Sequence, residues 1–257
     1  MDSNPSITTV IGIASGKGGV GKSTVAVNLA LALSSQGKNT ALLDADLGLA
    51  NAQILLGLNA PYNVGDILSE RKTVNEVLIK GPEGMNLIPG ASGDPSLANI
   101  SPIIATSLIE RIKKEIIGLE ILIIDCAAGL AESNLAFLDS CDLRIIIVQD
   151  EPASIADCYG VIKLESKKNR MKHLFVLPNR VKNQKEGKTL FDKMNTVCMK
   201  FLEEPVDYVA SILDDALLTN LTRKKESLFP DHVKSQAAMN FIHLAGKITE
   251  LSRPQNE

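Results

Sequence analysis

Tryptophan is absent from this sequence, and aromatic side chains make up only 4% of it. Any core must therefore be built mainly from Ile, Leu, Val and Ala. Cysteine is scarce: Cys126, Cys141, Cys158 and Cys198 stand far apart, with no C-x-x-C pair. That spacing excludes a disulfide framework or a zinc knuckle and reads as reduced thiols. No apolar run approaches the roughly 20 residues needed to span a bilayer. The opening "MDSNPSITTV" has neither the charged start nor the long apolar stretch of a signal peptide. The expected location is the cytoplasm. An excess of positive charge is also missing, with 27 Lys and Arg against 30 Asp and Glu. A net charge of −3 argues against a surface coated for nucleic acid, although a local basic face can exist under any total. Internal repeats, low-complexity tracts and linkers are lacking as well. The 257 residues therefore read as one domain over 1–257, with short disordered ends at about 1–6 and 253–257.

What the chain does contain is a regular alternation. Short β-branched runs at 8–14, 39–44, 85–89, 120–126, 143–149, 173–179 and 207–212 read as strands, several of them apolar throughout. Continuous apolar strands belong in a sheet covered on both faces. Helical patterns lie between them, such as 23–36 closed by Gly37 and 101–117 opened by Pro102. The fold class that follows is α/β: a mostly parallel, twisted sheet with helices on both faces.

Between the first strand and the first helix lies "IASGKGGVGKST", residues 13–24. Gly16-x-x-x-x-Gly21-Lys22-Ser23 satisfies the phosphate-loop pattern, which makes the chain a P-loop NTPase candidate. Glycines at 16, 18, 19 and 21 let the backbone at Val20 and its neighbours wrap an anion with N–H groups. The helix that follows aims its positive end at the same anion. Lys22 would bridge the outer phosphates and the Ser23 hydroxyl would sit on Mg²⁺. A second lysine, Lys17, has no role in that loop.

Further groups fall where a nucleotide hydrolase uses them. "LLDADLGLAN" (42–51) puts Asp44 and Asp46 at the C-terminal end of the second strand, beside the loop in a doubly wound sheet. "ILIIDCAAG" (121–129) ends four apolar residues on Asp125, a suitable carboxylate to hold Mg²⁺ through water. Gly129 lets the backbone approach a γ-phosphate. In "LPNR" (177–180), Asn179 either occupies a turn or pairs its amide with adenine, which has a matching donor and acceptor.

"GKGGVGKST" resembles the deviant Walker A box of the MinD/ParA superfamily, marked by a second lysine after the first glycine. The resemblance implies an ATPase in which Lys17 reaches across a homodimer to the partner's ATP. It implies that Lys22, Ser23 and Thr24 bind phosphates and Mg²⁺, and that Asp46 orients the attacking water with Asp44 close to the metal. Asp125 and Gly129 would form the second switch, Asn179 would read adenine and Asp214 would close the base pocket.

Within the superfamily, "LLDADLGLANAQILLGL" (42–58), "LIPGASG" (87–93), "DEPASIADCYGVIKL" (150–164) and "FLEEPVDYVASILDD" (201–215) look like the FlhG/FleN group, MinD-like ATPases that control flagellar number. The implied partner is a flagellar transcription activator or another flagellar regulator. The Asp-Gln-Ala-x-x-Leu-Arg arm that some relatives use to stimulate the FlhF-type GTPase does not match here, so that stimulation is not expected. The segment 236–251 places Ala237, Phe241, Leu244, Ile248 and Leu251 on one helical face, read as core packing and not as a membrane anchor. Lys163, Lys167, Lys168, Arg170 and Lys172, with the run 223–225, read as solvated faces; in a partition ATPase they would bind DNA. MinD-like placement of the division site is the neighbouring alternative. An iron–sulfur relative would need a second cysteine suitably spaced from Cys126.

Overall fold

The computed structural model describes residues 8–46, 51–91 and 100–253. The strands are β1 (Thr9–Ala14), β2 (Thr40–Ala45), β3 (Ile79–Lys80), β4 (Asn86–Ile88), β5 (Ile121–Cys126), β6 (Leu143–Val148), β7 (Leu174–Val181), β8 (Asp207–Tyr208) and β9 (Ile212–Leu213). The α-helices are α1 (Lys22–Ser35), α2 (Ala52–Leu55), α3 (Val64–Leu68), α4 (Val74–Val77), α5 (Pro102–Glu115), α6 (Glu132–Leu135), α7 (Pro152–Lys167), α8 (Gln184–Leu202), α9 (Ala216–Lys224) and α10 (Gln236–Leu251).

The sheet runs β3-β4-β2-β5-β1-β6-β7-β8, with β9 joined to β7. Every pairing is parallel except β3 with β4. Alternate residues of each strand feed two cores. Val10, Leu43, Ile124, Ile146 and Val176 lie in one, with Ile109 of α5 and Ile162 of α7. Ile11, Leu42, Ile123, Ile145 and Leu177 lie in the other, with α1 and Phe241 of α10. Two-sided burial explains why β1, β2, β5 and β6 are buried at every position.

Helix α1 is buried almost all round, from Val25 to Leu33, because α10 covers the side turned away from the sheet. It ends on Gln36, and Gly37 follows at φ +81°, as the sequence implied. Ser101 caps α5 by accepting from the Ile104 N–H, with Pro102 in the first turn. Two expectations need correction. The run 207–212 is not one strand: Val209, Ala210 and Ser211 separate β8 from β9, and both pieces pair with β7. Leu251, assigned to the buried face of α10, is 37% exposed at its end. Ala237, Phe241, Leu244 and Ile248 are buried as expected. The four cysteines are buried and unbridged. Among the described residues no helix is long and apolar enough to cross a membrane.

Candidate functional site

Parallel strands all end on one side, and the loops that leave β1, β2, β5, β6 and β7 there form the site. Register sets its charge: Asp44 of β2 lies directly beside Asp125 of β5, which is paired with Ile13 of β1 just before the phosphate loop. The loop conformation requires its glycines. Gly19 and Gly21 adopt φ +82° and +91°, and a Cβ on Gly16 would lie 2.3 Å from the Asp157 carbonyl oxygen of α7. Gly21 opens α1 with no side-chain cap, so the first amides of a 14-residue helix face the loop without one. Gly18 stands in open space, and Val20 is buried with its carbonyl accepting from Gln149 Nε2 (3.2 Å) and Asn179 Nδ2 (2.7 Å).

Lys22 is buried and donates from Nζ to Asp125 Oδ1 at 2.6 Å. Burial disfavours its charge, but Asp125 and Asp46 more than offset this and hold its pKa above the ordinary lysine value. The Asp125 Oδ2 atom is buried with no hydrogen-bond partner. An orphaned carboxylate oxygen beside a phosphate lysine and Ser23 is what a metal-bound water would satisfy, so the residues fit Mg²⁺ with ATP. No cluster of three His, Cys, Asp or Glu side chains converges on a metal position among the described residues. The ion would take few protein ligands, in keeping with the habit of Mg²⁺ of retaining water and phosphate oxygens.

Asp44 is placed differently from a free metal ligand. It is fully buried; Oδ2 accepts from the Asn51 and Ala52 N–H groups at 2.8 and 2.9 Å, and Oδ1 from the Asp46 N–H at 3.2 Å. The carboxylate thereby ties the start of α2 back to β2. Burial, then the charge of Asp125, pushes its pKa up to about 7 against the pull of those amides. Asp46 is half-buried and close enough to act electrostatically on Lys22. Residues 47–50 of the same segment, and 92–93 of "LIPGASG", lie outside the described residues.

Gly129, at φ +110°, donates its N–H to the Ser15 carbonyl at 2.9 Å, which docks the loop after β5 onto the phosphate loop. Lys17 points outward: its Nζ lies 3.4 Å from Glu151 Oε2, with the two side chains 43% and 59% exposed. An exposed pair of that kind is worth about 0–1 kcal/mol, so Lys17 is free to move. Beside the loop opens a cavity of about 870 Å³, lined by Gly21, Thr24, Gln149, Asn179, Arg180 and Asp214 among others. Asn179 is buried at the cavity wall with its Nδ2 on Val20 O. The Asp214 N–H bonds to the Val181 carbonyl at 2.8 Å.

Glu151 and Arg180 belong to this site although sequence reading gave neither a role. Glu151 meets Lys17, far away in the chain, and Arg180 lines the cavity; the quoted motifs that contain them do not single them out. The basic run after α7 is partly neutralised: Lys168 donates to both oxygens of Asp139 at 2.8 Å, and Arg170 reaches the same carboxylate at 3.2 Å. Cys126 is fully buried, and burial pushes its pKa up to about 12, the state of an inert thiol.

A family model described as the CobQ/CobB/MinD/ParA nucleotide binding domain matches residues 11–228. The antiactivator FleN of Pseudomonas aeruginosa is 37% identical over 247 residues, covering 96% of this chain and 88% of that protein. The flagellum site-determining protein YlxH of Helicobacter pylori is 32% identical over 228 residues, covering 88% and 76%. Among solved structures, the MinD cell division protein of Aquifex aeolicus superposes with a TM-score of 0.78 at 26% identity, covering 97% of this chain and all of that one. With the family model spanning most of the chain, the chain belongs to the CobQ/CobB/MinD/ParA nucleotide-binding domain family, as a P-loop ATPase of its MinD/ParA branch.

Proposed function

We propose that this ATPase is a dimerising switch that hydrolyses ATP slowly and regulates flagellar number, placement or gene expression. The observation that carries the switch is the division of labour between two lysines. Lys22 is buried on Asp125, where it can pass to the outer phosphates of ATP. Lys17 is exposed at the rim and tied only by a weak surface pair, so it can reach a nucleotide held by a second copy.

Each residue then has a definite task. Lys22 and the amides of residues 16–24 hold the phosphates, Ser23 and Asp125 hold Mg²⁺ directly or through water, and Asp46 orients the attacking water. Gly129 carries the loop after β5 close to the terminal phosphate. Mg²⁺, when bound, neutralises phosphate charge. Lys17 from the partner adds a positive charge where the leaving group becomes more negative, in the manner of an arginine finger. The flagellar output is supported by the likeness to YlxH and FleN, and the word antiactivator in the latter's name favours a transcription activator as the protein partner. Placement of the division site is a second reading, favoured by the near-complete superposition on a MinD.

Molar mass in solution tests the switch. With Mg²⁺ and a non-hydrolysable ATP analogue, the wild-type mass should double; with Mg²⁺ and ADP it should not. Lys17→Ala should bind the analogue and stay monomeric. Dimerisation of Lys17→Ala at wild-type strength would remove the proposed role of the second lysine.

A further inference from the structure

One carbonyl of the phosphate loop is held by side chains from elsewhere in the fold. The Val20 oxygen accepts from Gln149 Nε2 at 3.2 Å and from Asn179 Nδ2 at 2.7 Å. A carbonyl oxygen has two lone pairs, so two amide donors fill it. One donor follows β6 and the other stands in β7, and both strands lie on the same side of β1 in the sheet.

Gln149 is itself fixed. Its N–H donates to Ser154 Oγ at 2.9 Å, and its carbonyl accepts from the Glu151 N–H at 2.8 Å. Ser154 is a buried residue near the start of α7. Asp157, about one turn further along α7, leaves no room for a Cβ on Gly16 at the start of the loop. The end of β6 and the first turns of α7 therefore form a wall on which the loop rests. From that wall the Gln149 side chain crosses to Val20.

The peptide between Val20 and Gly21 is trans, and a trans peptide points its C=O and N–H in opposite directions. Holding the Val20 carbonyl toward the wall thus turns the Gly21 N–H the other way, to the side on which the loop wraps an anion. That N–H meets no acceptor among the described residues. From this geometry we infer that Gln149 is a positioning residue for ATP. It locks the Val20–Gly21 peptide so that the Gly21 N–H is aimed at the phosphates before they arrive. The inference rests on the ATP site described above and deepens it. Gly21 adopts φ +91°, and a glycine moves readily between backbone conformations, so the loop alone does not fix this peptide. A donor already oriented costs less to engage on binding and needs no reorganisation during the reaction.

Calorimetric titration of wild type, Gln149→Met and Gln149→Glu with ADP and with inorganic tripolyphosphate, each with Mg²⁺, tests this. Methionine keeps the length of the side chain without a donor. Glutamate keeps its shape and, when ionised, presents an acceptor in place of the donor. Gln149 is only half-buried, so both nucleotide-free variants should melt within about 4 °C of wild type. Gln149→Met should nevertheless bind ADP and tripolyphosphate about fivefold more weakly, by the same factor for each, because both ligands present phosphates to Gly21. Its KM for ATP should rise by that factor at unchanged kcat, since the Gly21 N–H meets the phosphates before and during the reaction alike. Gln149→Glu should lose more affinity, because its charge repels both the Val20 oxygen and the phosphates. A loss confined to ADP would assign Gln149 to the sugar or base and overturn the inference. Unchanged affinities would mean that Asn179 alone holds the carbonyl, which overturns it while leaving the ATP site in place. Weaker binding in variants that both melt well below that range would assign Gln149 to the fold instead. Wild type that bound neither ligand would overturn the ATP site and the inference together.

Discussion

At the scale of single residues, Asp44 carries a stability cost that depends on pH. Its folded-state pKa is raised to about 7, first by burial and then by Asp125. An unfolded Asp titrates near its ordinary value of about 4. Between those values the folded protein retains a proton that the unfolded chain has released, so stability falls as pH rises from about 4 to about 7. The contribution is fully favourable only below the unfolded pKa. Asp44→Asn keeps an oxygen for the Asn51 and Ala52 amides and cannot ionise. The nucleotide-free wild type should therefore lose about 5 °C or more in melting temperature between pH 5 and 7.5, against a flatter profile for Asp44→Asn. Parallel profiles would mean that Asp44 stays ionised in the fold.

Residue identities at the site were legible in proportion to how local their signal is. The spacing of Gly16, Gly21, Lys22 and Ser23 is contiguous, and the strand-end aspartates follow apolar runs, so the sequence alone located them. The partners were not legible. Lys17 lies 134 positions from Glu151, and Val20 lies 159 from Asn179. Arg180 stands in the quoted "LPNR", but its place on the cavity wall exists only in the folded chain.

At the scale of elements, the buried strands announced themselves because covering both faces removes the polar alternation that usually obscures a strand boundary. One strand that the sequence did not show and one run that it misread have physical causes. β3 consists of Ile79 and Lys80 at the sheet edge, too short for any period to show. β8 and β9 share one apolar-looking run, but Val209, Ala210 and Ser211 turn inward between them as buried residues without pairing as strand. Helix α10 was legible from its 3.6-residue period, and its packing on α1 has a measurable consequence. Phe241 is fully buried and also lines the cavity beside the phosphate loop. Phe241→Ala should cost about 3–5 kcal/mol by removing the ring and leaving a cavity. Leu251→Ala, at the exposed end of the same helix, should cost less than about 1 kcal/mol. Chemical denaturation of the two variants checks the contrast, and equal losses would mean that α10 is not held against the core along its length.

At the scale of the whole molecule, charge and topology together argue against a DNA-binding surface that responds to nucleotide. Helix α7 runs back from the loop after β6, so its lysine-rich end and Lys172 lie near the start of β7, opposite the phosphate loop. There Lys168 and Arg170 are already paired with Asp139, and Lys168 also lies 3.9 Å from Glu165. The second basic run, 223–225, is exposed, and its Arg223 lies at the wall of the cavity. Around the cavity next to Lys17, Asp150, Glu151, Glu186, Asp214 and Asp215 are interspersed with Arg180, Lys182 and Arg223, so the cations there do not form a continuous face. Random-sequence duplex DNA should bind no tighter than about 100 µM at physiological salt. The affinity should also be the same with ADP and with a non-hydrolysable ATP analogue. Fluorescence anisotropy across a salt series measures both. A tighter complex formed only with the analogue, with a log–log salt slope steeper than about −3, would mean that several cations neutralise phosphates together. That outcome would move the chain from a regulator of proteins to a partition ATPase.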